Sequence, residues 1–289
     1  MSAVIVPRRS VLYMPASNER ALEKAKTIPA DALILDCEDA VAPDAKVAAR
    51  ENAAAVIANS GEYGRKELTI RVNGLDTQWG ADDLRSAAAA GPGAIVVPKV
   101  SSAADVAAIE KAIEAGGAPD HTKIWVLLET PQAMERALEI CSASERLEVV
   151  IMGTNDLAKE LRAALVPGRA PLLWGLGRCI NAARATGKVI LDGVYNDIKD
   201  EAGFLAECQQ GFDFGFDGKT LIHPAQVDPC NGVWAPTEAQ IDLAQRTIEA
   251  FETAMAEGKG VVTLDGRMIE NLHVDNARRV LAVAAAIAG

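Results

Sequence analysis

The chain has no apolar run approaching the roughly 18 to 20 residues that cross a bilayer, which excludes a membrane-spanning helix. Its start, MSAVIVPRR, lacks the charged segment and longer apolar stretch of a secretory signal. Cysteine is sparse and unpatterned. Cys37, Cys141, Cys179, Cys208 and Cys230 are odd in number and form no CxxC pair. A disulfide framework and a cysteine zinc site are therefore not expected, and a reducing cytoplasm fits. Histidine is scarcer still: His121, His223 and His273 are too scattered for a histidine zinc site. Basic charge is also short, with 29 Lys and Arg against 40 Asp and Glu, a formal net charge of −11. That argues against nucleic-acid binding, which needs a basic footprint, but not against a small anion met by local cations. The first 26 residues hold such a group in Arg8, Arg9, Arg20, Lys24 and Lys26, which reads either as a solvated run or as an anion site.

What is present is ample core material: 49% of the 289 residues are hydrophobic, enough for one large barrel or two smaller domains. Strand-like runs recur at 10–15, 32–38, 68–73, 94–99, 124–129, 149–153, 189–194 and 219–222. Helical stretches rich in Ala, Glu and Lys lie between them, at 18–27, 45–58, 101–115, 130–141 and 200–211. Alternating strands and amphipathic helices predict βαβ units and a parallel sheet. Eight units suggest closure into a (β/α)8 TIM barrel. The rival open, doubly wound sheet lacks its GxGxxG after the first strand. Barrel sequence is used up near Pro224. Residues 1–230 are assigned to the barrel, and 231–289 to a C-terminal helical extension too small to bury its own core. That extension comprises a helix from about 237 to 257, a Gly-rich link at 258–260, a VVTLDG segment and a last helix near 275–286. It is expected to pack on the barrel or on a neighbouring subunit.

Catalytic groups of such barrels lie at the C-terminal ends of the strands. Reading only those ends gives Pro15, Asp36, Glu38, Asp39, Arg71, Lys99, Glu129, Asp156, Asp192 and His223. Glu129 closes IWVLLE, and Asp156 follows VVIMGTN. Each acid alone could be a helix cap or an ion-pair partner. Together, at two successive strand ends, they can share one divalent cation. Mg²⁺ suits so few protein oxygens, because it keeps water or substrate oxygens in its octahedron. Arg71 can grip a carboxylate with two parallel hydrogen bonds, or pair with Asp36, Glu38 or Asp39, and both roles can coexist. Glu38 and Asp39 are candidates to accept hydrogen bonds from metal-bound water. His223 reads more readily as a buried, hydrogen-bonded histidine than as a ligand contact.

Nine segments carry a resemblance in register: RRSVLYMPASNERALEKA, ALILDCEDAVAPDAK, IRVNG, VPKV, LLETPQA, GTNDLA, DGVYNDI, GFDGKTLIHPAQV and DGRMIE. From about residue 7 to 282 the chain resembles the citrate lyase β-subunit-like family, among the malyl-CoA and citramalyl-CoA lyases. The resemblance implies a (β/α)8 barrel, usually a homotrimer (with pairing into hexamers left open), that binds Mg²⁺, an acyl-CoA and a 2-oxoacid. It implies Mg²⁺ ligation by Glu129 and Asp156 and oxoacid binding by Arg71. Arg20, Lys24, Ile222 and His223 would contact CoA or substrate. The implied activity is cleavage of a 3-hydroxyacyl-CoA such as malyl-CoA or citramalyl-CoA to acetyl-CoA and glyoxylate or pyruvate. Alternatives are a citrate lyase β-subunit acting on a carrier thioester, a malate synthase-like condensation with hydrolysis, and a non-catalytic acyl-CoA or oxoacid binder. One departure stands out. Lyases of this kind carry an aspartate acid/base in an M-I-D motif, and this chain reads Met268-Ile269-Glu270. The extra methylene can shift the carboxylate by about an ångström. Glu270 is expected to be the catalyst, with altered or lost lyase chemistry as the alternative.

Overall fold

A computed structural model of the chain describes residues 5–258 and 261–289. Lys259 and Gly260 of the expected Gly-rich link lie outside the described residues. The chain divides into two compact units, residues 8–233 and residues 1–7 with 234–289.

The first unit is a closed parallel barrel of eight strands in sequence order. They are β1 (Ser10–Pro15), β2 (Ala32–Asp36), β3 (Glu67–Arg71), β4 (Ala94–Val97), β5 (Lys123–Leu128), β6 (Leu147–Met152), β7 (Val189–Asp192) and β8 (Gly218–Leu221). The first coincides with its predicted run; the other seven begin within two residues of theirs and end earlier, because the mouth residues that follow are already loop. The helices between them are α1 (Glu19–Ala25), α2 (Lys46–Ala58), α3 (Gly80–Ala90), α4 (Ala103–Ala115), α5 (Pro131–Glu135) and α6 (Ala137–Cys141). They continue with α7 (Thr154–Leu161), α8 (Leu173–Ala185) and α9 (Glu201–Phe214), and α10 (Val227–Trp234) follows β8. Asn18, Ser102, Thr130 and Asp200 start α1, α4, α5 and α9 by accepting a backbone N–H on their side chains.

Strand side chains alternate between the barrel interior and the surrounding helices. Val11, Ala32, Ile34, Ala94, Val96, Trp125, Leu127, Val149, Ile151 and Leu191 form the interior cluster, with Tyr13 and Val189 packed against it. Arg8 closes the N-terminal end: its guanidinium lies 5.2 Å from the Trp125 ring and pairs with Glu67 at 2.6 Å and Glu148 at 3.1 Å. The alternation also decides what the other end contains. Asp36, Arg71 and Glu129 each stand two residues after an inward side chain, so they face the mouth.

In the second unit α11 (Glu238–Ala256) begins at Thr237, whose side chain caps it. The expected VVTLDG segment is a hairpin of β9 (Val262–Leu264) and β10 (Arg267–Ile269). Asp265 and Gly266 both adopt positive φ, 49° and 76°, which is the two-residue turn that Asp-Gly favours. Arg246 on α11 pairs with Asp265. The last helix, α12 (Asn271–Ala288), begins earlier than its apolar periodicity alone suggests.

Candidate active site

Glu129 follows β5 directly and is only 3% exposed. One oxygen, Oε1, accepts the Lys99 backbone N–H at 2.7 Å. The carboxylate also lies over Gly153, where a Cβ would collide with Glu129 Cβ and Oε2. A glycine at the end of β6 is therefore what leaves room for this side chain. Asp156 stands in the first turn of α7, half-buried, and makes no hydrogen bond or ion pair among the described residues.

Arg71 is 7% exposed and held from three sides. Its Nε and Nη2 donate in parallel to Asp36 Oδ1 and Oδ2, each at 2.7 Å. Nη1 lies 2.8 Å from Glu38 Oε2 and 3.6 Å from Asp39, while the guanidinium sits 4.7 Å from the Tyr13 ring. Burial works against the Arg71 charge, but Asp36, Tyr13 and Glu38 together outweigh it and raise the pKa well above the usual arginine value. Asp36 is completed by the backbone N–H groups of Glu38 and Ala40, at 2.9 and 3.1 Å. Glu38 Oε2, for all its closeness to Nη1, is a buried oxygen that receives no aligned hydrogen bond.

A buried lysine braces this loop. Lys46 Nζ donates to Cys37 O, Glu38 O and Asn73 Oδ1 at 3.0, 2.7 and 2.8 Å. Asp83 accepts from the Asn73 backbone N–H at 3.1 Å and from Arg50 at 2.7 Å. Tyr13, Lys46 and Asn73 escape a reading of strand ends. Nothing local in AKVAAR or IRVNG marks the lysine or the asparagine as buried and converging.

The electrostatics of the mouth are those of a site short of positive charge. Burial pushes the Glu129 carboxyl up to about 8, and Glu38 and Asp156 push it the same way. Burial likewise pushes Glu38 up to about 7, against the pull of Arg71. The donors that converge here are hard carboxylate oxygens. Among the described residues no three His, Cys, Asp or Glu side chains are spaced to enclose a metal. Mg²⁺ fits both facts: it needs oxygen, and it is content with two carboxylates. Glu129 and Asp156 would hold it, with Glu38 able to accept from its water.

A pH dependence follows. In the metal-free chain Glu129 and Glu38 bind protons in the folded state up to about pH 7 to 8, whereas the unfolded carboxyls release theirs near 4.5. Between those limits the folded state binds more protons, so metal-free stability falls as pH rises. A cation needs the ionised forms and gains affinity over the same interval. The melting-temperature increase on adding Mg²⁺ is therefore expected to grow from about pH 6 to about pH 8.5, while the melting temperature in chelator falls. Thermal melts at both pH values check it, and an Mg²⁺ increment independent of pH would contradict it.

Three of the five N-terminal cations are spent on structure. Arg8 pairs as described, Arg9 grips Asp31 at 2.7 and 2.8 Å, and Lys26 pairs with Glu23 and Glu62 at 2.5 and 2.6 Å. Arg20 and Lys24, exposed on α1, form no ion pair among the described residues. Asp192 does not join the mouth. It takes Arg169 Nη1 at 2.6 Å and Lys219 Nζ at 3.0 Å, and Lys219 continues to Glu207 on α9 at 2.8 Å. His223 Nδ1 accepts the Ala225 backbone N–H at 3.2 Å, which makes it a cap for the turn after β8. The preceding Ile222 is exposed, and Gln226 Oε1 holds the N–H groups of both residues at 3.1 and 3.2 Å. In the second unit Glu270 is exposed, at the N-cap of α12, and its N–H donates to His273 Nδ1 at 3.0 Å.

Comparison with known proteins finds relatives over nearly the whole chain. The HpcH/HpaI aldolase/citrate lyase family matches residues 9–224. A (3S)-malyl-CoA thioesterase of Cereibacter sphaeroides is 51% identical over 282 residues, 98% of this chain and 96% of that protein. Citrate lyase subunit beta of Escherichia coli K12 is 39% identical over 279 residues, 95% of this chain and 92% of that protein. Among solved structures, CitE from Mycobacterium tuberculosis in complex with magnesium, acetoacetate and coenzyme A superposes with a TM-score of 0.77. It is 26% identical and covers 96% of this chain and 97% of its own.

Proposed function

The chain belongs to the HpcH/HpaI aldolase/citrate lyase family, and on that premise we propose that it is an Mg²⁺-dependent enzyme hydrolysing the CoA thioester of a malyl-CoA-type 3-hydroxyacyl group. The observation that carries the metal and acyl site is the mouth itself: Glu129 and Asp156 underused as acceptors, beside a buried Glu38 oxygen that pairs with Arg71 but receives no aligned hydrogen bond. The choice of thioester hydrolysis is supported by the (3S)-malyl-CoA thioesterase similar to this chain over 98% of its length.

Glu129 and Asp156 would hold Mg²⁺, which would supply a Lewis acid toward the acyl group's oxygens. The Lys99 N–H keeps the Glu129 carboxylate in place for it. Arg71, fixed by Asp36, would offset negative charge on the acyl group through Nη1, the edge it shares with Glu38 and Asp39. Arg20 and Lys24 on α1 meet the CoA phosphates, and the Ile222–His223 turn borders the thioester arm. Glu270 takes a proton from water as its oxygen bonds to the thioester carbon, the C–S bond breaks, and the CoA thiolate leaves and is protonated. In a homotrimer, Glu270 would come from a neighbouring subunit.

The carbon–carbon lyase expected from the sequence is the second reading, favoured by the likeness to citrate lyase subunit beta. It uses the same bound acyl group, with the base acting on the 3-hydroxyl proton instead of on water. A glutamate at position 270 displaces the reacting oxygen by about an ångström relative to aspartate, enough to change which proton is in reach. Product analysis separates the readings. Malyl-CoA with Mg²⁺ is expected to give free CoA and malate, and acetyl-CoA with glyoxylate would establish the lyase. Glu270→Gln is expected to lower the rate by about 10²- to 10⁴-fold with Mg²⁺ affinity retained. An undiminished rate would make Glu270 a bystander.

A further inference from the structure

With all its groups ionised, the mouth sets five carboxylates, those of Asp36, Glu38, Asp39, Glu129 and Asp156, against the cations of Arg71 and Lys99. A divalent cation leaves it still negative by one. A substrate whose acyl group carries its own carboxylate must enter that field, so a free positive charge has to meet it. Arg71 is poorly placed to do this alone: two of its donors are committed to Asp36, and the remaining edge is shared by Glu38 and Asp39.

Lys99 is differently disposed. Its backbone is left-handed, φ 56°, a conformation that non-glycine residues adopt rarely. In that conformation its N–H donates to Glu129 Oε1 at 2.7 Å, so its main chain is anchored in the mouth. Its side chain is exposed and makes no ion pair among the described residues. The carboxylates acting on its charge are Glu38, Asp156, Glu129 and Asp39.

We propose that Lys99 is a specificity-determining residue whose ammonium binds the carboxylate of an anionic acyl group, selecting carboxylate-bearing acyl thioesters over neutral ones. The proposal rests on the mouth being the metal and thioester site. Recognition of a ground-state carboxylate suits this side chain better than stabilisation of a transition-state oxyanion. Oxyanion donors must be held rigidly in advance, whereas an exposed lysine is a mobile point charge on a flexible stem.

The test uses the whole chain with saturating Mg²⁺ and oxaloacetate as the probe anion. Lys99→Met is expected to weaken oxaloacetate binding by about tenfold or more and to flatten its dependence on salt, with Lys99→Arg recovering most of the affinity. In turnover the loss should fall on KM for malyl-CoA rather than on kcat. KM for 3-hydroxybutyryl-CoA, which lacks the carboxylate, should not rise. Unchanged oxaloacetate affinity in Lys99→Met, with Mg²⁺ still bound, would overturn the assignment and leave the metal site standing. Loss of Mg²⁺ affinity together with oxaloacetate would also overturn it, in favour of a backbone role through Glu129. A native chain that binds no Mg²⁺ at all would remove the underlying reading as well.

Discussion

Glu129→Ala is expected to lower Mg²⁺-dependent thioester turnover by on the order of 10³-fold, at a small cost in folding stability. The large effect follows from how little else the mouth offers a cation. Asp156 is the other carboxylate on the proposed coordination sphere, and no third His, Cys, Asp or Glu stands at metal-ligand spacing among the described residues. Removing one of two ligands leaves no substitute. The small structural cost has an equally specific cause. Glu129 accepts one hydrogen bond, from Lys99 N, and its carboxyl is pushed up to about 8 by burial and by neighbouring acids. Ionising it is unfavourable in the metal-free fold, so alanine removes that cost even as it opens a small void. Turnover measured across an Mg²⁺ titration, beside urea unfolding in chelator, separates the two effects. Turnover within about threefold of the native rate at the same Mg²⁺ concentration would refute the ligand assignment.

Arg71→Met has the opposite profile, a loss of stability before any loss of chemistry. Asp36 is wholly buried and its two oxygens face the Arg71 fork. Taking the guanidinium away strands a buried carboxylate, which typically costs about 3 to 5 kcal/mol. The backbone N–H groups of Glu38 and Ala40 still reach Asp36 and moderate the loss without cancelling its charge. Adding Asp36→Asn should therefore return part of the stability, because it removes the stranded charge. Urea unfolding of the single and double variants reads this directly. A single-variant loss below about 1 kcal/mol would mean the pair is screened by water that enters the mouth.

Much of the fold could be read in the sequence because the barrel writes its period plainly. Eight apolar runs separated by helical stretches are what parallel strands buried on both faces require. The helices that escaped, α3, α7, α8 and α10, are rich in Ala and Gly or too short for a convincing apolar stripe, and neighbours rather than their own periodicity decide them. Within the site, the period of two carried more information than strand ends alone. Ile34 and Asp36, Thr69 and Arg71, Leu127 and Glu129 share parity, and the last of each pair enters the mouth. Asp192 follows the inward Leu191 by a single residue, so it turns outward to Lys219 and Arg169. Counting it with the mouth acids ignored that alternation.

Other features had no local signal. Arg8 meets Glu67 and Glu148, partners that only the closed barrel brings together, so a basic run of five looked larger than the two exposed cations that remain. The left-handed backbone of Lys99 is equally silent in VPKV, since positive φ is usually announced by glycine or asparagine. The change from aspartate to glutamate in the MIE motif was legible from the start. Its chemical consequence depends on where the carboxylate meets the acyl group, which no local pattern encodes.

Mn²⁺ binding followed by electron paramagnetic resonance tests whether Glu129 and Asp156 form one divalent-cation site at the barrel mouth. The expected result is a single Mn²⁺ per chain, displaced by Mg²⁺, and lost in both Glu129→Ala and Asp156→Ala while each variant keeps its native circular dichroism. Undiminished Mn²⁺ binding in the two variants would place the cation elsewhere and rule out this pair as its ligands.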